Sequence, residues 1–285
     1  MHIVRFPRNP IITSAMHDSV GTNINGPSLT AAPPWLDSPL GRYYLYFAHH
    51  KGEYIRLAYA DRLEGPWSIH EPGALRLAQS HCVQHIASPD VHIDVFERRV
   101  RMYYHGVDPD GRQVTRVALS EDGVNFSCLP EILGPSYFRV FRWMGFHYAL
   151  AMPGVFLRSR DGITNFVEGP TLFTKDMRHC ALKIDRSVLS VFYTNVGDCP
   201  ERILLSTIDL STDWNAWHAT DPVTVLEPAE DYEGAGLPAE PSIRGCSPEP
   251  VRQLRDPAIF REGGRTYLLY SVAGESGIAI AEIVD

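Results

Sequence analysis

Two stretches far apart in the chain share one plan. Residues 255–283 read RDPAIFREGGRTYLLYSVAGESGIAIAEI, and residues 88–106 read SPDVHIDVFERRVRMYYHG. Each has a small or charged residue, a proline, an apolar run, a charged turn, and a second apolar run that ends in a small polar residue. Residues 25–67, 136–166 and 178–217 follow the same order, which makes five units. In each unit the reading is strand, tight turn, strand, loop, strand. The second strands, RYYLYFAHH, VRMYYHG, HYALAM, LSVFYTN and TYLLYSVAG, are short and rich in aromatic and β-branched residues, as buried strands are. The third strands are YIRLAYAD, VTRVALSED, GVFLRSRDG, ILLSTIDL and GIAIAEI. No segment has a sustained helical period. Antiparallel units of about forty residues in series specify an all-β fold of radial type, here a five-bladed β-propeller. The whole chain, residues 1–285, is expected to be one such domain. Residues 1–25 are expected to supply an outer strand that closes the ring against the last blade.

Composition narrows the partners. The formal net charge is −8 and no basic run is present, so neither nucleic acid nor an anionic membrane is an expected partner. No run approaches about 18 apolar residues, and the first residues lack the apolar core of a secretory signal. The five cysteines, Cys82, Cys128, Cys180, Cys199 and Cys246, are widely spaced with no CxxC pair. They read as reduced thiols, and the expected location is the cytoplasm.

Propeller geometry then selects residues. The first strand of each blade lines the central channel, so the starts of those strands converge on one funnel. They are Asn25-Gly26-Pro27-Ser28, Ser88-Pro89-Asp90-Val91-His92, Tyr137-Phe138-Arg139, Arg178-His179-Cys180 and Arg255-Asp256-Pro257. The second strands end near the same axis at His49, His50, His105, Asn195 and Ser271, and His85 is expected close by. Such a funnel is a polar ligand pocket. Its expected ligand contacts are Asn25, His49, His50, His92, His105, Arg139, Arg178, Asn195 and Arg255. Three guanidinium forks at strand starts suit an acidic group on the ligand; the alternative is ion pairing with Asp90 and Asp256. Trp35, Tyr54 and Trp143 are candidate stacking platforms, whereas Trp67 and Trp217 read as blade packing. Neutral imidazoles beside a carboxylate can hold a divalent cation, with His92 and His179 as candidate ligands.

The motifs NPII at residues 9–12, GPSL at 26–29, SPDVHI at 88–93, DGVNF at 122–126, DGITNF at 161–166 and RDPAIF at 255–260 carry a resemblance. The chain resembles the five-bladed propeller glycosidases, the superfamily of glycoside hydrolase families 43, 32, 68, 117 and 130. The resemblance spans nearly the whole chain and implies a small carbohydrate substrate. Some family 43 relatives carry a calcium ion in the channel near a histidine, so calcium is the implied cofactor. The departures are in the catalytic positions. Gly26 stands where family 43 has its Asp base, Tyr137-Phe138-Arg139 where it has its pKa-tuning Asp, and His179 where it has its acid Glu. Family 117 uses a histidine as the acid, which the resemblance carries onto His179.

Glycoside hydrolysis needs two carboxyl groups flanking the bond. Asp90 and Asp256 are the best-placed aspartates by the repeat. The long connection at residues 226–254 joins the fourth unit to the fifth and is expected to fold over the funnel mouth. From it Glu233 and Glu240 are the candidate acids, each set among Gly, Pro and apolar residues; the alternative is a solvated acidic loop. Asp18 is a further candidate. Three activities fit this reading: a glycoside hydrolase, a metal-dependent sugar lyase or isomerase using the axial histidines, and a sugar-binding propeller without turnover.

Overall fold

The computed structural model describes residues 1–284 and contains five antiparallel sheets arranged as the blades of a propeller. Blade I comprises Asn25–Ala31, Tyr43–Ala48, Tyr54–Ala60 and Ser68–Arg76. Blade II comprises Ile86–Asp94, Arg99–Val107 and Gln113–Ser120, with the short outer strands Ser127–Cys128 and Gly134–Pro135. Blade III is Arg139–Trp143, Phe146–Ala151, Val155–Ser159 and Val167–Thr171. Blade IV is Met177–Asp185, Val188–Asn195, Ile203–Asp209 and Val223–Leu226. Blade V is Arg255–Glu262, Arg265–Val272 and Gly277–Val284. Its outer strand comes from the other end of the chain: His2–Arg5 pairs antiparallel with the last strand, His2 opposite Val284. The first residues thus close the ring, as the repeat order requires.

The apolar second strands are explained by what lies on either side of them. Side chains alternate across a strand. Tyr43, Leu45 and Phe47 enter the core between blades V and I, while Tyr44 and Tyr46 enter the core between blades I and II. Three further cores fill the remaining gaps between neighbouring blades. A strand buried on both faces loses its polar alternation and reads as a continuous apolar run. Each fully buried aromatic or aliphatic side chain there contributes roughly 1.5–3 kcal/mol. Trp67 and Trp217 lie in these cores, as packing residues.

One irregularity recurs where the site lies. The pairing of first and second strands slips between Asn25 and Ser28, between Ala87 and Asp90, between Met177 and Cys180, and between Arg255 and Ala258. An extra residue at this point is a β-bulge, which bends the strand and turns side chains toward the axis.

Candidate functional site

The bulges define the floor of the funnel. Gly26, Ser88, Tyr137 and Asp256 all have left-handed backbone, with φ of 59°, 50°, 68° and 48°. For the three that are not glycine this conformation costs on the order of 1–3 kcal/mol each, and it persists only where surrounding structure imposes it. Around this floor the rings form a ladder. His85 meets His105 edge-on at 5.4 Å, His105 lies 4.0 Å from Tyr137, and Tyr137 lies 4.3 Å from His179. Nδ1 of His179 faces Oδ1 of Asp256, and Oδ2 of Asp256 accepts a hydrogen bond from the Ser271 hydroxyl at 3.2 Å. Burial holds the His179 imidazole well below the ordinary histidine range, and the charges of Arg178 and Arg139 add to the effect. His105 is held down likewise, first by burial and then by His85 and His50. Both rings are therefore neutral near pH 7. A neutral His179 with its proton on Nδ1, toward Asp256, has a free lone pair on Nε2, which is the state of a general base oriented by a carboxylate.

Above the floor runs a chain of alternating charges. Glu275 is buried and accepts from Asn23 at 2.5 Å, Asn25 at 3.2 Å and Arg255 at 3.0 Å, with His50 at 3.4 Å. Burial alone would raise its pKa; His50, Asn23 and Arg255 outweigh that and hold it at about 2. Glu201, fully buried, accepts from Thr194 at 2.7 Å and Arg178 at 3.2 Å and lies 3.4 Å from Arg255. The connection at residues 226–254 does reach this rim, with the Gly245 carbonyl and the Gln253 side chain rather than with Glu233 or Glu240. The carbonyl of Gly245 accepts from Arg178 at 3.0 Å and from Arg255 at 3.2 Å. Gln253 accepts from Arg255 at 2.5 Å. Asp198, on the loop after the second strand of blade IV, runs the other way. Burial raises its pKa, with Arg202 lowering and Glu201 raising it, and its buried Oδ2 has no hydrogen-bond partner.

One layer deeper the equivalent positions are Ser28, Asp90, Arg139, Cys180 and Ala258. Asp90 and Asp256, the two aspartates the repeat singles out, therefore lie at different levels of the channel. The bulge places Ser88 opposite Asp256 in the repeat, and Asp90 lies two residues further down its strand. Asp90 accepts from His92 at 2.8 Å and from the Val140 N–H at 2.7 Å. Burial would raise its pKa, but His92, Arg139 and that N–H hold it below the usual carboxylate range. His92 thus lies deeper still, and Arg139 lies beneath the floor, 5% exposed.

The remaining expected residues divide clearly. Asn25, His50, His105, His179, Arg178, Arg255 and Asp256 converge at the floor and rim. His49 stands beside His50, its ring nitrogen accepting from the Lys51 N–H at 3.0 Å, and burial lowers its pKa. Asn195 offers its carbonyl to Ser242 at 3.4 Å. Glu233 is a correction: it is fully buried in an ion pair with Arg5 of the outer strand at 2.8 Å and accepts from Tyr270 at 2.9 Å. Its burial serves the edge of blade V. Glu240 is exposed on the connection, and Asp18 is exposed in a short turn. Trp35 and Trp143 follow or end first strands and so lie at the opposite end of the propeller from the funnel. The three arginines do not present free forks: Arg178 and Arg255 are committed to Glu201, Glu275, Gln253 and carbonyls, and Arg139 to carbonyls alone. His92 and His179 occupy different layers, and among the described residues no three His, Cys, Asp or Glu side chains are grouped to hold a metal. Calcium, the implied cofactor, does not fit the channel centre, where the carbonyl oxygens it would need already bind the Arg139 guanidinium.

Tyr137, Glu201 and Glu275 were missed as site residues. The signal for Tyr137 was its place in the repeat, level with Gly26, Ser88 and Asp256. Glu201 and Glu275 had none, because both stand in the loops between second and third strands, where the repeat is loosest.

The architecture defines a class: the chain has the five-bladed β-propeller fold of family 43 glycoside hydrolases. It aligns with a β-xylosidase/α-arabinofuranosidase of that family from a compost microbial metagenome, in complex with xylotriose in a calcium-free form, at a TM-score of 0.67 and 12% identity over 99% of this chain and 95% of that one. A thermostable family 43 glycoside hydrolase aligns at 0.65 and 13% identity, over 99% and 93%. A family 43 enzyme from Xanthomonas citri complexed with xylose aligns at 0.64 and 11% identity, over 93% and 88%. No known family profile matches the chain. By sequence it is 37% identical, over 322 aligned positions, to the uncharacterized protein R118 of Acanthamoeba polyphaga mimivirus, covering 99% of this chain and 90% of that one. The chain belongs to the family of R118.

Proposed function

We propose that this propeller acts on a neutral glycoside or short oligosaccharide bound in the axial funnel, as a glycoside hydrolase whose base is the His179–Asp256 pair. The observation that carries the reading is that pair: a buried neutral imidazole oriented by a carboxylate at the convergence of five first strands. Nε2 of His179 takes a proton from water as it attacks the anomeric carbon, and Asp256 stabilises the imidazolium that forms. Bond cleavage also needs a proton donor to the leaving oxygen. Asp198 is the proposed donor, because burial raises its pKa and its buried Oδ2 has no hydrogen-bond partner. The ligand is proposed as neutral, since the guanidinium groups at the rim are already matched by carboxylates and carbonyls. The neighbouring enzymes' ligands, xylose and xylotriose, make pentosides the first substrates to test.

The test is release of 4-nitrophenol from a panel of 4-nitrophenyl glycosides, together with product analysis on xylo- and arabino-oligosaccharides. Turnover that falls roughly 10²–10⁴-fold in His179→Gln and Asp256→Asn, with ligand binding retained, supports the base assignment. Asp198→Asn should slow substrates with poor leaving groups most. One observation favours a second reading: Glu275 and Asp90, both near the axis, are fixed as bonded anions, and Gly26 carries no carboxylate. Saturable sugar binding without turnover across the panel would select a binding propeller instead.

A further inference from the structure

The central channel of a propeller gathers backbone carbonyls from the first strands of its blades. Here they meet one cation. Nε of Arg139 donates to the Cys180 carbonyl at 3.0 Å, and Nη1 donates to the carbonyls of Ser88 at 3.3 Å, Pro89 at 3.3 Å and Phe138 at 3.2 Å. These acceptors belong to three different blades. Arg139 is 5% exposed, and among the described residues it forms no ion pair with a carboxylate. Its Nη2 is buried without a hydrogen-bond partner. Asp90, held as an anion, lines the same axial cavity and supplies the balancing charge through space.

We propose that Arg139 is a tethered cation that takes the place of a bound divalent metal at the hub, so that the ring is held together without one. A hard cation such as calcium would need oxygen ligands at about 2.3–2.6 Å. It would compete for the carbonyls that Arg139 occupies and would be repelled by the guanidinium. A guanidinium is a permanent cation in proteins, so a hub built on one needs no metal supply. The hub lies beneath the funnel floor, and its charge is independent of the chemistry above it.

The experiment is thermal unfolding of the full chain in chelator (EGTA), in millimolar calcium chloride and in millimolar guanidinium chloride. For the wild type, Tm is expected to be the same in chelator and in calcium. Arg139→Ala leaves the carbonyls unpaired; its Tm is expected to fall on the order of 5–10 °C and to recover in a concentration-dependent way with guanidinium or calcium. Arg139→Lys keeps the charge and is expected to retain most of the stability without responding to calcium; it serves if Arg139→Ala does not fold. A wild-type Tm that drops in chelator overturns the proposal. So does an Arg139→Ala variant as stable as wild type, or an Arg139→Lys variant that calcium stabilises.

Discussion

At the residue scale, the site rests on side chains held where they would not stay in a free peptide. Ser88, Tyr137 and Asp256 keep left-handed backbone at the funnel floor. Their strain is offset by packing of the blades around them, which is typical of residues kept for what their side chains do. Glu233 shows the opposite use of a buried charge. Its carboxylate is fully buried between Arg5 and Tyr270 and also accepts the Ala229 N–H at 2.8 Å. Glu233→Ala should therefore destabilise the protein by about 3–5 kcal/mol, because Arg5 and these donors lose their partner. Sugar binding at the funnel should be unchanged. Chemical denaturation beside a binding titration checks both, and a large loss of affinity with intact stability would return Glu233 to the site.

At the element scale, the second strands do two jobs at once. Each carries side chains to the cores on both sides, and those of blades I, II, IV and V also deliver a polar group to the rim at or near their ends. Blade II shows the tolerance. At Gly106 a Cβ would lie 2.5 Å from the His85 carbonyl and 2.6 Å from Sγ of Cys82. Gly106→Ala must push the segment of residues 82–85 outward and so move His85 away from His105. The expected cost is about 1–3 kcal/mol, with weakened ligand binding, read by thermal unfolding and titration. Strand identity in these elements was legible because a strand buried on both faces has an unmistakable composition. The bulges were not legible. They depend on how the strand pairs with its neighbour, and that is why Asp90 and Asp256 could be named together as axial carboxylates although they lie at different levels.

At the scale of the whole molecule, the depressed groups at the floor and rim make stability fall as the pH falls. Burial depresses the folded pKa of His105 and His179 below the ordinary 6.5, and Glu275 is depressed from 4.5 to about 2. A depressed group contributes stability that is present above its unfolded pKa and lost as pH falls through its folded one. Stability should therefore begin to decline below about pH 6.5 as the buried histidines resist charging. A second loss, on the order of 3 kcal/mol, should come between about pH 4.5 and 2 as Glu275 is neutralised. Denaturation midpoints measured from pH 8 to 3 check this; a profile flat down to pH 5 would refute the histidine part. Ring closure is the other whole-molecule property. Deleting residues 1–5 removes the outer strand of blade V and the partner of Glu233. The truncated chain should unfold at a markedly lower temperature than the full chain.

Unlike the outer strands of blades I to IV, the number of blades, the order of the three inner strands of each and the strand that closes the ring could be read from residue order alone. They follow from local periodicity and from how a repeated sheet must bury both faces. Which polar groups meet at the axis was only partly legible, since strand starts can be placed by repeat but not to within a single residue. The roles of Glu201, Glu275, Arg139 and Glu233 were decided by tertiary structure. Each depends on a partner far away in the chain, and the charge state of a buried group is set by the partners and solvent exclusion that only the folded ring creates.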